Sequence, residues 1–299
     1  PERRIIPGVK GVSVQAVPDV YVVRTRIEPS LSNRKLTVIT YLHNAVGEAR
    51  SVDLRQTVID GKQSVLTVVD GERVEVPAGE TVEVQYIRPW ADATLWSPWN
   101  PYLYGLRTEL AGEAGVMDAV RDRFGFREFG IDGHCILVNG RPIHLFGSTV
   151  NAGALGEGQP WTFKKGSVAV MLERMRAAGY NLLRFHGWRN VNGERQIYEL
   201  ADEFGLLSRF EGSMNDSTRG FISYTDPRLH ENNYREMRSM GEAFFNHPSA
   251  IFYDNGNETY YEGRMPAIHG ERMLETEQKL EAFDPTRIAI DRKSTRLNS

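Results

Sequence analysis

The sequence predicts a multidomain protein of class β plus α/β, in which an immunoglobulin-like β-sandwich precedes the first half of a TIM (β/α)8 barrel. Two observations indicate this. From residue 20 to residue 124, short β-rich runs alternate in polarity, whereas after residue 140 amphipathic helical stretches alternate with short apolar runs. We therefore expect the sandwich at residues 1–122 and the barrel segment at residues 123–290.

The first part contains six runs rich in Val, Thr, Ile and Tyr, at residues 20–27, 35–43, 52–59, 64–69, 81–87 and 102–110. Asp60-Gly61, Asp70-Gly71 and the segment 77–79 stand between runs, at positions typical of hairpin turns. Half-buried antiparallel strands need a second sheet against their apolar face, so we expect a sandwich.

Four helices are expected in the second part. Val168, Met171, Leu172 and Met175 follow the spacing i, i+3, i+4, i+7, and the segment 197–204 repeats it. The first two helices should end at glycines followed by buried strands, and the others should cover residues 227–245 and 269–283. The predicted strands are residues 142–148, 181–185, 206–210, 250–254 and 286–290.

This alternation fits either an open doubly wound sheet or an eight-stranded barrel. An open sheet would usually carry a glycine-rich phosphate-binding turn after an early strand. The nearest match, Gly156-Glu157-Gly158, lacks the third glycine and leads into Pro160. The barrel is therefore favoured, with four or five of its strands in this chain.

Composition excludes several classes of partner. Lys and Arg number 36 against 39 Asp and Glu, so no basic surplus favours a nucleic acid or an acidic membrane surface. No apolar stretch approaches the roughly 18 residues of a membrane span. Cys135 is the single cysteine and lacks the neighbours of a zinc site. We expect no nucleic-acid partner, no membrane insertion, no metal and no cofactor.

Both ends suggest a fragment. The chain begins with Pro1 rather than Met and reaches a strand-like run at Val20. Residues 291–299 read DRKSTRLNS, which matches the translation of a widely used sequencing adapter, so we expect them to be no part of the natural sequence. We expect truncation at both termini, and neither the compartment nor the oligomeric state can be predicted.

Catalytic groups of a barrel follow the C-terminal ends of its strands. The polar side chains at those positions are Asn151, Arg184, His186, Glu211, Asp254, Asn257 and Glu258. Arg184 and His186 share one strand face and can orient a carboxylate, although these residues alone favour a strand-end ion pair or a satisfied interior histidine.

Glu258 is the strongest candidate. It follows the apolar run 250–254, and Tyr253, Tyr260 and Tyr261 are expected to offer flat apolar faces beside it. A carboxyl in a partly dry aromatic cleft favours its neutral form, as a general acid requires. The alternative is a structural carboxylate. A Ser-His-Asp triad lacks its Gly-x-Ser-x-Gly turn, and no His-Glu-x-x-His zinc motif is present.

Five strings resemble, in order and spacing, those of glycoside hydrolase family 2: residues 95–110, 123–147, 179–188, 198–207 and 246–258. The resemblance covers roughly residues 5–290. It implies a jelly-roll, an immunoglobulin-like sandwich and a TIM barrel, of which the jelly-roll is missing here and the barrel stops near its fifth strand.

The resemblance implies that Glu258 is the acid/base and that Asn257 binds the sugar 2-hydroxyl. Arg184 and His186 also match the family pattern. The nucleophilic Glu is implied near the seventh strand, beyond the natural end of this chain, so no carboxylate here replaces it.

Two departures alter the walls of the sugar site. Asn151 stands where the family often has a histidine, and His186-Gly187-Trp188 replaces the usual His-Tyr-Pro. We therefore place Asn151 and Trp188 among the substrate-binding residues, and galactoside, glucuronide and mannoside all remain open.

The expected function is a retaining, exo-acting β-glycosidase with a carbohydrate substrate. The alternative is a carbohydrate-binding or scaffold protein on a degenerate barrel. A lyase or metal-dependent hydrolase is a third option that lacks a ligand cluster. The intact Asn257–Glu258 pair favours the first, since a binding protein has no need of a proton donor there.

Overall fold

The computed structural model describes residue 14 and residues 16–151, 165–186, 191–212, 226–256 and 267–290. Within these ranges, the first part forms a β-sandwich and the later part forms an α/β domain. The segment 291–299 lies outside them. None of the helices in the described ranges combines the length and the hydropathy needed to cross a bilayer.

Seven antiparallel strands build the sandwich. They are β1 (Val20–Ser30), β2 (Lys35–Asn44), β3 (Arg50–Asp60), β4 (Gln63–Val76), β5 (Thr81–Pro89), β6 (Tyr104–Gly112) and β7 (Gly115–Phe124). One sheet has the order β1-β2-β5 and the other has the order β4-β3-β6-β7. Each of the six predicted runs overlaps one strand, although β6 begins two residues after the start of the run 102–110, and β7 was not predicted.

The sandwich core lies between the two sheets because alternate side chains of each strand face inward. Leu36, Val38 and Leu42 of β2 are fully buried. Among these apolar contacts, the buried Gln56 of β3 donates to Thr40 Oγ1 of β2 at 2.7 Å. This hydrogen bond joins one sheet to the other.

The prediction of a hairpin turn at Asp70-Gly71 is wrong. β4 continues through this dipeptide, because Leu54 and Arg55 of β3 pair with Glu72 and Asp70 and leave Gly71 as an extra residue. Gly71 has a φ of +69°, so its freedom to adopt a left-handed conformation permits a β-bulge here instead of a turn.

A small antiparallel sheet follows the sandwich, formed by β8 (Phe129–Asp132), β9 (Cys135–Val138) and β10 (Arg141–Ile143). The predicted single strand at 142–148 is therefore wrong in its bounds, because its first residues belong to β10 and its last residues to a later strand. Asn139 and Gly140 have φ values of 53° and 75°, which suit a two-residue hairpin and fold β10 back onto β9. The first parallel strand therefore starts later, at Gly147.

The α/β domain alternates parallel strands with helices: β11 (Gly147–Asn151), α1 (Lys165–Ala177), β12 (Leu182–His186), α2 (Val191–Phe204), β13 (Leu207–Glu211), α3 (Pro227–Phe244), β14 (Ala250–Asp254), α4 (Ala267–Phe283) and β15 (Ile288–Ile290). The sheet order is β11-β12-β13-β14-β15, with every neighbouring pair parallel. Sheet order and chain order are thus the same.

The helices pack as their periodicity predicts. Val168 and Leu172 of α1 and Ile197 and Leu200 of α2 join one buried cluster with Leu183 of β12. Gly179 and Gly205 follow α1 and α2 with φ values of 88° and 65°, as expected for glycines that end helices.

Polar contacts hold the sandwich against the α/β domain. The indole Nε1 of the fully buried Trp96 donates to the carbonyl of Asp202 in α2 at 2.9 Å. Asn246, just after α3, accepts from Ile27 N at 2.9 Å and donates to Thr25 O at 3.0 Å, both in β1. Directed hydrogen bonds of this kind favour one relative orientation of the two units.

Candidate active site

Four charged side chains meet at the C-terminal ends of three neighbouring strands. Arg184 Nε of β12 lies 2.5 Å from Glu211 Oε2 of β13. Arg209 of β13 bridges two carboxylates: one guanidinium nitrogen lies 3.1 Å from Glu211 Oε2 and the other 2.5 Å from Asp254 Oδ2 of β14. We call Arg184, Arg209, Glu211 and Asp254 the charged layer.

The residues two positions earlier in each strand explain where this layer lies. Leu182, Leu207 and Phe252 belong to one hydrophobic cluster, with Ile288 and Ile290 of β15. Because alternate residues of a strand share a face, the charged layer stands on the same face of the sheet, one step nearer the C-terminal edge. The face thus changes from apolar to charged toward the edge where catalytic groups of α/β folds lie.

The charged layer is balanced and largely shielded from water. Two guanidinium groups face two carboxylates, and the side chains of Glu211 and Asp254 are only 8% and 2% exposed. Buried carboxylates are stabilised when they are paired with opposite charge and hydrogen-bonded. The charged layer therefore forms a preorganised polar surface at this edge of the sheet.

The structure brings several predicted residues together. Arg184 lies in the charged layer, as do Glu211 and Asp254. Asn151 and His186 are register partners at the ends of β11 and β12, so their backbones lie side by side. The side chains of Asn151 and His186 lie outside the described part of the molecule, and Trp188, Asn257 and Glu258 lie outside it entirely.

The expectation that Tyr253 faces the cleft is wrong. Tyr253 alternates with Phe252 and Asp254, so it points to the opposite side of the sheet, toward the helices. It is 1% exposed, packs in the cluster that includes Phe244 of α3, and donates from its hydroxyl to Asp284 Oδ2 at 3.0 Å. Burial raises the pKa of the phenol well above its ordinary value.

Sequence reasoning missed two features near this edge. Arg209 stands two residues before Glu211, and the rule of alternate strand residues could have identified it. Asn233 of α3 is 2% exposed and donates to both the carbonyl and Oδ1 of Asn255, the residue after β14. No local sequence pattern joins these two asparagines.

A metal centre is not formed by the described side chains. Among them, no group of three or more His, Cys, Asp and Glu residues is arranged to hold an ion.

Comparison with known proteins finds a family match over the sandwich. The family model of glycosyl hydrolases family 2 matches residues 20–127. A β-galactosidase of Halalkalibacterium halodurans is 25% identical over 294 residues, covering 93% of this chain and 27% of that protein. The β-galactosidase large subunit of Leuconostoc lactis is 31% identical over 186 residues, covering 56% of this chain and 28% of that protein.

Solved structures share the fold. The crystal structure of a β-glucuronidase of Bacteroides uniformis superposes with a TM-score of 0.74 at 22% identity, covering 91% of this chain and 34% of that one. The chain thus spans 27% to 34% of the length of each of these three proteins. The family match over residues 20–127 and the curated relatives support a relationship to glycosyl hydrolases family 2, and the solved structures share the fold.

Proposed function

We propose that the protein is a retaining, exo-acting β-glycosidase, and that strands β11–β15 form the first part of its (β/α)8 barrel. The observation that carries the proposal is the sequential order of these strands beneath a charged layer, in a chain related to a glycosidase family. Open doubly wound sheets reverse strand order at a switch point, whereas barrel strands follow chain order. On this proposal, residues 1–122 and 123–290 are separate domains.

In the proposed mechanism, Glu258 protonates the departing glycosidic oxygen and later deprotonates the attacking water. Asn257 binds the sugar 2-hydroxyl. Both residues follow β14, whose last residue, Asp254, belongs to the charged layer. A retaining enzyme needs a second carboxyl about 5 to 5.5 Å from the first. We place this nucleophile beyond Ile290.

The substrate is proposed to be a β-linked sugar held over the charged layer. Arg184 and His186 would form the base of the sugar site, and Asn151 and Trp188 its walls. Relatives with the names β-galactosidase and β-glucuronidase support a galactoside or a glucuronide, and a mannoside remains an alternative.

The decisive variant is Glu258→Gln in the complete gene product. If Glu258 is the acid/base, cleavage of a glycoside with a poor leaving group falls by about 100-fold or more, because only that substrate needs a proton at the departing oxygen. Cleavage of an activated aryl glycoside falls much less. Azide restores the second step, the release of the sugar from the enzyme, because an anionic nucleophile needs no base to deprotonate it. Glu275→Gln, the same change at an exposed position of α4, should leave both substrates unaffected.

A second assay compares the 299-residue chain with the complete gene product on nitrophenyl β-galactoside, β-glucuronide and β-mannoside. We expect turnover from the complete product alone, since the chain lacks the proposed nucleophile, and the best substrate identifies the sugar. Turnover by the purified chain would overturn the placement of the nucleophile. Binding of sugar without turnover by the complete product would favour the carbohydrate-binding alternative.

A further inference from the structure

The chain leaving β14 is held by side chains and backbone of three other elements. Asn233 Nδ2 of α3 donates to Asn255 Oδ1 at 2.8 Å and to its carbonyl at 3.1 Å. Asn255 Nδ2 donates to the carbonyl of Met273 in α4 at 3.0 Å. Just after β13, Gly212 N donates to the carbonyl of Asp254 at 2.8 Å.

These contacts are buried and closely packed. Asn233 and Asn255 are 2% and 1% exposed. A Cβ added to Gly212 would lie 2.8 Å from Asn233 Oδ1 and 3.0 Å from the carbonyl oxygen of Asn255, so no room is left between the strand ends and α3. Small displacements of the backbone at Asn255 would therefore break a hydrogen bond or cause a clash.

The stability of the fold does not by itself explain why two buried asparagines stand at this place. Burying an amide costs free energy unless its hydrogen bonds are made, and an apolar side chain would fill the space without that cost. Amide hydrogen bonds are directional, however, and they specify one backbone position more sharply than apolar packing does.

We infer that Asn233 and Asn255 are positioning residues that fix the direction in which the chain leaves β14, and thereby the placement of the acid/base three residues later. This inference rests on the proposed role of Glu258. Proton donation depends steeply on geometry, and a misplacement of about 1 Å can cost roughly 100-fold in rate. A fixed exit from β14 limits such misplacement.

The test uses Asn233→Leu and Asn233→Asp in the complete gene product. Both remove the amide donors, and the second preserves the shape of the side chain if the first fails to fold. We expect kcat for a poor leaving group to fall about tenfold more than kcat for an activated aryl glycoside. Gly212→Ala, whose added Cβ would press on Asn233 Oδ1, should likewise lower kcat for the poor leaving group more than kcat for the activated aryl glycoside.

The matched control is Asn44→Leu in the sandwich. Asn44 is also fully buried and also donates two hydrogen bonds, to Glu48 O and Val76 O. It should lower both activities equally, through the amount of folded protein. If the Asn233 variants lose the same fraction of kcat for both substrates, the asparagine pair has only a structural role and the inference is overturned.

Glu258→Gln, measured in parallel, separates this inference from the proposed function. If Glu258→Gln discriminates between the substrates and the Asn233 variants do not, the positioning role fails and the proposed function stands. If Glu258→Gln does not discriminate, both the assignment of Glu258 and the positioning role are overturned.

Discussion

Arg287 is a fully buried cation that joins several segments of the α/β domain. Its side chain is fully buried and pairs with Asp284 Oδ2 at 2.5 Å. Its guanidinium also donates to the carbonyls of Phe245 at 2.7 Å and Ala250 at 2.9 Å. Replacing it with Met keeps an unbranched apolar stem of related length but removes every one of these donors.

The expected loss for Arg287→Met is about 3–5 kcal/mol, the range found when one partner of a buried ion pair is removed. Burial alone would raise the pKa of Asp284, but the charge of Arg287, with hydrogen bonds from Thr286 and Arg287, holds it below its usual value. The carboxylate is therefore ionised in the folded protein, and the variant leaves it buried without its main partner.

The sign of the pH dependence follows from this pKa. Because the folded pKa of Asp284 is depressed, its stabilising contribution is present above the unfolded value of 3.8 and is lost as the pH falls through the folded value. The difference in stability between wild type and Arg287→Met should therefore be large at neutral pH and should shrink below pH 3.8.

Arg127 provides a matched comparison within the same protein. It is also buried, but burial and the like charge of Arg287 lower its pKa to about 9. Within the described ranges, its guanidinium donates two long hydrogen bonds, to Pro248 O at 3.4 Å and Thr286 O at 3.3 Å. The lowered pKa shows that burial beside Arg287 disfavours the charged form of Arg127. Arg127→Met removes this cost along with two weak bonds.

We therefore expect Arg127→Met to change the free energy of unfolding by no more than about 1 kcal/mol, or to raise it. Urea unfolding of the 299-residue chain, followed by circular dichroism and by tryptophan fluorescence, measures both variants, and two probes reveal whether the domains unfold together. A loss for Arg127→Met as large as that for Arg287→Met would refute the reasoning.

Two further predictions concern single sites. Gly125→Ala should lower the free energy of unfolding by about 1–3 kcal/mol through overpacking, because the new Cβ would lie 2.6 Å from Trp96 Cβ. In the control variant Gly130→Ala the nearest atom is 4.0 Å from the new Cβ, so the Tm should not change. Similar Tm values for the two variants would contradict this prediction. Asp226 is the N-cap of α3, and hydrogen bonds from the side chain and backbone of Arg228 lower its pKa to about 2. Asp226→Ala should therefore lower the Tm at pH 7, with the difference present above pH 3.8 and lost as the pH falls through 2; a difference independent of pH would exclude the charge as its cause.

Local patterns predicted most of the elements because secondary structure depends on residues close in sequence. The two-residue alternation at 35–43 identifies β2, and the spacing at 197–204 identifies α2. Gly179 and Gly205 marked helix ends because few other residues adopt their φ values readily. The prediction of a turn at Asp70-Gly71 was wrong because a glycine with positive φ occurs in a β-bulge as well as in a turn.

The sequence by itself thus determined the order of strands and helices, the family resemblance and the strand ends at which polar residues gather. Only the tertiary structure decided which side chains meet: Arg209 with Asp254 across two strands, Tyr253 with Asp284 on the helix side, and Asn233 with Asn255, 22 positions apart. The physical reason is that the periodicity of a segment reports which of its own faces is buried. The partner of a side chain depends instead on how two elements pack and in which register, and residues close in sequence do not determine this.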